Sequence, residues 1–286
     1  MHTRLVLLAL TLVLSTILPA SADELRGTLK QIRDSKTIRL GYLKTGVPFS
    51  FVDQNAPQGY SVELCKRVAG GIQQQLGLDT LNVTWVQVDE ATRFDMVTSG
   101  KIDLECGTTT NTLSRQEKVD FSLPIWVDGA TFVVKADSPI KTHADLGGKK
   151  IAVMEGTTTE PALKRALANS YVNAELVLVK SHIDGLELVF KDKADAYASD
   201  NTVLIGLALA VRQTMQLRFA EAMFSYEPYG LMLRKDDGDF RRAVNRVIAG
   251  LYRSGGIKEI YARWFGKIGE PTPLLAAMFI LNSLPE

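Results

Sequence analysis

Between residues 37 and 107, short apolar runs alternate with amphipathic stretches, and this order limits the fold more than any other feature of the 286-residue chain. Residues 37–43 read as a strand, 58–76 as a helix with Leu64, Val68 and Ile72 at helical spacing, and 81–88 as an alternating strand. A short helix at 91–99 and a strand at 102–107 follow. Strands separated by helices cannot pair as tight hairpins, so the pattern predicts a mostly parallel sheet covered by helices. A second series has strands at 128–135, 150–154, 175–179 and 194–198, with helices at 161–168, 184–190 and 202–212. It predicts a smaller α/β unit with its own sheet. After a strand at 215–219, another at 226–234 returns the chain to the first unit, which helices at 240–253 and 257–265 complete; a short tail begins at Gly269.

Ligands on such sheets bind beyond the carboxyl ends of the strands, and two segments of the first unit fall there. Residues 43–51 run from Leu43 through a proline turn to Phe49 and Phe51, whose alternation sends one ring to the core and leaves the other, with Phe51 as the candidate, facing a cleft. Residues 107–115 place Thr108 and Thr110 ahead of Arg115, which sits on a first helical turn. Hydroxyls and backbone amides there can hold one end of a small charged ligand while the guanidinium forks a carboxylate. In the second unit, Thr157 and Thr158 run into a helix with Pro161 near its start, so amides and hydroxyls converge on a helix N-terminus. Both threonine rows also fit plain capping turns.

His2 and Arg4 precede an apolar run at residues 5–14, and residues 19–22 supply the small side chains that signal peptidase requires. Residues 1–22 are therefore expected to be a cleaved signal peptide, leaving an exported, soluble protein. The 33 basic residues less Arg4 leave 32, against 32 acidic residues. That balance, with no basic tract, gives a nucleic-acid partner no electrostatic support. Cys65 and Cys106 are too few for a zinc cluster. In an oxidising compartment they can pair, and as buried residues they can equally remain free thiols.

No nucleophile elbow, zinc-helix motif, dinucleotide fingerprint or phosphate loop is present, and past the signal segment only His143 and His182 remain as histidines. The chain does not read as an enzyme, and no metal or cofactor is expected.

From about Thr37 onward the sequence resembles the periplasmic solute-binding proteins of polar amino acid ABC transporters (bacterial extracellular solute-binding proteins, family 3), most of all the glutamate/aspartate-binding group. The resemblance rests on Val47-Pro-Phe-Ser-Phe, Asp103-Leu-Glu-Cys-Gly-Thr-Thr-Thr-Asn, Arg115-Gln, Val119-Asp-Phe-Ser, Gly156-Thr-Thr, His182, Glu227-Pro-Tyr-Gly, Met232-Leu-Arg-Lys-Asp-Asp237 and Trp264-Phe, in that order. It implies a two-lobed α/β clamp with a two-stranded hinge: residues 23–130 and 224–286 form lobe one and 131–223 form lobe two. It further implies that Arg115, helped by Thr108 and Thr110, grips a ligand α-carboxylate and that Asp200 accepts the α-ammonium. Thr157 and Thr158 would meet the carboxylate from lobe two, and His182 would reach a distal carboxylate. The group usually carries an arginine where this chain has Leu43, which admits glutamine, asparagine or another polar amino acid. A family cysteine near Met232 that could partner Cys106 is absent. The implied partners are an amino acid and an inner-membrane ABC permease, with a monomer as the working state; an accessory sensor on the same clamp is the alternative.

Overall fold

Two five-stranded sheets, each covered by helices, make a two-lobed α/β clamp. The computed structural model describes residues 25–220 and 222–285, so the expected signal peptide lies outside the described residues. In lobe one, α1 (Gly27–Ser35) leads into β1 (Thr37–Leu43), and β2 (Thr45–Gly46), β3 (Ser50–Asp53) and β4 (Ala56–Gln58) form a small antiparallel ribbon. Next come α2 (Tyr60–Gln75), β5 (Asn82–Val88), α3 (Arg93–Thr98), β6 (Leu104–Glu105), α4 (Leu113–Gln116) and β7 (Val119–Asp128). Helix α2 buries Leu64, Cys65, Val68, Ala69 and Ile72, the stripe its sequence predicts.

Lobe two begins with β8 (Ala130–Lys135) and continues through β9 (Lys150–Met154), α5 (Thr159–Asn169), β10 (Glu175–Val179), α6 (His182–Phe190), β11 (Ala196–Asp200), α7 (Asn201–Val211) and β12 (Leu217–Phe219). The chain returns through β13 (Glu227–Arg234) and finishes with α8 (Gly238–Ser254), α9 (Gly256–Phe265) and α10 (Pro273–Leu281). The last of these falls in the stretch that reads only as a tail; Thr272 caps it and Pro273 opens it.

The strand orders are β5-β1-β6-β13-β7 and β10-β9-β11-β8-β12. In each sheet the three strands linked through helices are parallel, as the alternation predicts, and the remaining two join through antiparallel pairings. Those antiparallel strands adjoin the passages between lobes: β7 turns through Gly129 directly into β8, and β13 follows β12 after a short link. Asp128 and Glu227, the ends of β7 and β13, pair in register, so the two crossings lie side by side. Gly129 is required there, because a Cβ on it would stand 2.6 Å from the carbonyl oxygen of Ser225 on the returning chain.

Cys65 and Cys106 are disulfide-bonded, with Cα atoms 6.1 Å apart, so the free-thiol alternative does not hold. The bridge ties α2 to the residue after β6, just before the threonine row. Phe49 is fully buried, with the rings of Tyr60, Trp126, Tyr229 and Phe265 around it. Phe51, expected at the cleft, instead packs edge-on against Trp264 at 5.9 Å, because β3 belongs to the outer ribbon and this face of it is covered by α9. Leu43 is likewise not a cleft residue: it is buried among Val88, Val97, Ile102 and Met232, while Lys44 points to solvent.

Candidate functional site

Between the lobes lies a narrow cleft, lined from lobe one by Glu90, Arg93, Thr108, Thr110 and Arg115 and from lobe two chiefly by Thr157, Thr158, His182 and Asp200. The structure thus brings together seven of the nine residues singled out from sequence; Leu43 and Phe51 are the exceptions.

Local chain geometry aims these groups. Thr112 caps α4 by accepting from the Arg115 amide at 3.2 Å, which fixes the helical turn that carries Arg115. The guanidinium donates through Nη1 to the Thr110 carbonyl at 2.9 Å and through Nη2 across the cleft to the Gly156 carbonyl at 3.4 Å, and it sits over the Phe94 ring. Gly156 has φ +74°, which lets this tight turn present its carbonyl to the other lobe. Burial, reinforced by the charge of Arg93, lowers the Arg115 pKa to about 10, still well above neutrality.

The threonine hydroxyls are partly engaged. Thr157 donates to the Met154 carbonyl at 2.7 Å within its own loop, and Thr158 donates to Glu227 Oε2 at 2.6 Å across the cleft. Thr110 donates to the same oxygen at 2.7 Å and lies 3.3 Å from the Thr158 hydroxyl. The first amides of α5 have no intrahelical acceptor and remain suited to an anion. Glu227 therefore latches the lobes, and Ser225 secures its second oxygen at 2.6 Å.

Asp200 ends β11 and accepts hydrogen bonds from Tyr229 and, at 3.3 Å, from Thr159. Burial, followed by the nearby charges of Glu227 and Asp128, pushes its pKa up to about 8. Burial likewise raises Asp128 to about 6, although the amides of Thr202 and Gly129 both donate to it at 2.9 Å. A carboxyl held this high is poised to ionise when a cation arrives. His182 opens α6 behind the Ser181 cap, is 4% exposed and hydrogen-bonds through Nδ1 to the Tyr197 hydroxyl at 2.6 Å. Burial lowers its pKa, with Glu90 opposing and Arg93 reinforcing the shift, so it is neutral at pH 7.

Two charged cleft residues, Arg93 and Glu90, have no counterpart among the sequence candidates. Arg93 opens α3 just past the carboxyl end of β5; it is 2% exposed and its Nε is buried without a hydrogen-bond partner. Glu90 precedes it in the same connection and is partly buried. The strand-end rule that pointed to residues 107–115 applies equally to this passage, so the signal was present. Behind them, Glu105 is fully buried with Oε1 unpaired, and burial raises its pKa against the pull of Arg93. Among the described residues no group of three acidic, histidine or cysteine side chains could hold a metal ion.

Paired carboxylates, the buried guanidinium of Arg93, the half-buried one of Arg115 and a helix N-terminus in a cleft between two hinged lobes form a binding site for a small zwitterion. Residues 38–267 match the bacterial extracellular solute-binding proteins, family 3. The chain belongs to this family. Such a solute-binding protein is a periplasmic component of an amino-acid ABC transport system and not an enzyme, and an amino acid and an ABC permease are its general partners. This solute-binding protein is 34% identical over 249 residues to the L-glutamate/L-aspartate-binding protein of Pseudomonas aeruginosa, covering 86% of this chain and 82% of the relative. It is also 25% identical to the glutamine-binding protein GlnH of Bacillus subtilis, covering 86% and 87%. In fold it resembles holo ArgBP from T. maritima, with a TM-score of 0.69 and 27% identity over 82% of this chain and 99% of that one.

Proposed function

We propose that this protein captures L-glutamate or L-aspartate in the periplasm, as a monomer released from its signal peptide, and delivers it to an inner-membrane ABC permease. The observation that carries this reading is Arg93: a second guanidinium, 2% exposed, with Nε unpaired, in the same small cleft as Arg115. A buried guanidinium nitrogen without a hydrogen bond is costly, and a ligand carboxylate would satisfy it. An acidic amino acid has two carboxylates for two arginines. Arg93 then offers the cationic contact that Leu43 does not supply.

In this reading Arg115, Thr108, Thr110 and the amides at Thr157 and Thr158 take the α-carboxylate, and Asp200 takes the α-ammonium. Arg93 and His182 take the side-chain carboxylate. The ligand first meets lobe one, with residues 23–130 and 224–286; lobe two, residues 131–223, then closes about the strands at Gly129 and Glu227. Closure excludes water, which strengthens each charged contact. The closed face is what the permease reads.

Glu90 favours a second reading. A carboxylate lining the cleft beside His182 and Arg93 repels a ligand carboxylate but accepts a hydrogen bond from an amide, as glutamine or asparagine would provide. Titration calorimetry of ligand-stripped protein with L-glutamate, L-aspartate, L-glutamine, L-asparagine and L-arginine separates these. The acidic pair binding tightest supports the proposal; the amides binding tightest support the second reading; arginine or nothing binding defeats both.

A further inference from the structure

Behind His182 stands a second buried ring that the binding account leaves unused. The hydroxyl of Tyr197, a fully buried residue of β11, lies 2.6 Å from His182 Nδ1, and the two rings meet edge-on with centroids 6.2 Å apart. Gly185, one turn along α6 from His182, permits this approach, because a Cβ there would stand 2.2 Å from the Tyr197 ring. Nδ1 is thus taken up inside lobe two. Nε2 is the ring nitrogen left for the cleft that His182 lines.

A phenol and an imidazole nitrogen can share a hydrogen bond in either direction, and the direction decides what Nε2 can do. Burial raises the Tyr197 phenol far above its usual range, against a hydrogen bond from Ser199, so the phenol keeps its proton. Burial lowers His182, so its ring is neutral and carries a single proton. Of two neutral partners, the phenol is the stronger donor and the imidazole nitrogen the stronger acceptor. The phenol therefore donates to Nδ1, and the imidazole proton sits on Nε2.

We propose that Tyr197 is a positioning residue for ligand choice: by donating to Nδ1 it holds His182 in the tautomer whose Nε2–H faces the cleft, so that His182 and Arg93 meet the ligand side chain as two donors. This rests on the reading of the cleft given above, in which these two residues take the distal group of the ligand. Two donors converging on one group require two acceptors. A carboxylate supplies them with its two oxygens. A carboxamide supplies one oxygen and turns its NH2 against the other donor, leaving buried polar groups unpaired. The opposite tautomer would set a lone pair beside Arg93 and suit the amide. Tyr197 does not itself line the cleft, so it acts through His182.

The test joins nitrogen-15 NMR of the ligand-free full chain to titration calorimetry. With the His182 signals assigned by their loss in His182→Gln, wild type should show Nδ1 in the unprotonated range and Nε2 in the protonated range. Tyr197→Phe keeps the ring over Gly185 and removes only the hydroxyl, so in this variant the two shifts should move toward each other. Its preference for L-glutamate over L-glutamine should fall about ten-fold relative to wild type. A proton on Nδ1 in wild type overturns the proposal, whatever any variant or ligand does. A preference unchanged in folded Tyr197→Phe also overturns it and leaves Tyr197 as packing. A wild type that prefers glutamine overturns the acidic-ligand reading instead: the spectra are taken without ligand, and Tyr197→Phe should still shift the ratio toward glutamine.

Discussion

The Thr158 hydroxyl donates to the Glu227 carboxylate at 2.6 Å, joining the start of a lobe-two helix to the strand that brings the chain back into lobe one. Because Thr110 donates to the same oxygen at 2.7 Å, one carboxylate holds a hydroxyl from each lobe. The clamp is therefore latched by the protein's own groups as well as by any ligand.

Removing the lobe-two half of that latch should loosen closure. A hydrogen bond to a charged group contributes about 1.5–3 kcal/mol, so Thr158→Val should weaken ligand affinity about ten-fold. Small-angle scattering should show the saturated variant less compact than wild type. Equal compaction and equal affinity would mean that Glu227 plays no part in closure.

Asp200 makes both stability and binding depend on pH. Its folded-state pKa of about 8 lies above the ordinary carboxylate value, so the folded protein retains a proton that the unfolded chain has released. Stability of the ligand-free protein should therefore fall as pH rises from about 4 to 8. Asp200→Asn should flatten this decline in the thermal midpoint. An α-ammonium favours the ionised carboxylate, so binding near pH 7 should expel a proton. Calorimetry in two buffers of different ionisation enthalpy measures that proton directly; no release would place the ammonium elsewhere.

The disulfide closes a loop with a sequence separation of 41. Chain entropy alone then predicts about 4 kcal/mol of stabilisation. Cys65→Ser with Cys106→Ser should lower the melting midpoint by roughly 10 °C. It should also weaken binding modestly, since Gly107 and the threonine row follow directly. An unchanged midpoint would show that the bridge does not stabilise the fold.

Much of this molecule was legible in its sequence because the signals were local. Strand–helix alternation fixed the parallel strands, and the threonine row before Arg115 marked the helical turn that carries the guanidinium. Three features required knowledge of distant neighbours. Leu43 and Phe51 sit at plausible strand-end positions, and only the packing of α9 and of the Val88–Met232 cluster shows that both are used in the core. Cys65 and Cys106 pair because the fold brings their Cα atoms to 6.1 Å, a distance no periodicity reports. Glu227 was visible as part of a motif, but its latch exists only once β13 returns beside β7. Arg93 and Glu90 were the avoidable omission, since they follow a strand end as Thr108 does.

Glu90 should oppose an acidic ligand. Glu90→Gln removes one negative charge from the cleft and should tighten L-glutamate binding several-fold while leaving L-glutamine nearly unchanged. Weaker glutamate binding in this variant would mean that Glu90 holds Arg93 or His182 in its working position.

The most direct test of the account is the ratio of glutamine to glutamate dissociation constants in wild type and in Arg93→Met, measured by titration calorimetry on ligand-stripped protein. A guanidinium–carboxylate contact of the usual strength gives a wild-type ratio of at least about ten. With Arg93→Met that ratio should collapse toward one while compaction on saturation persists. A wild-type preference for glutamine, or a ratio untouched by the substitution, would contradict the assignment of Arg93 to the distal carboxylate.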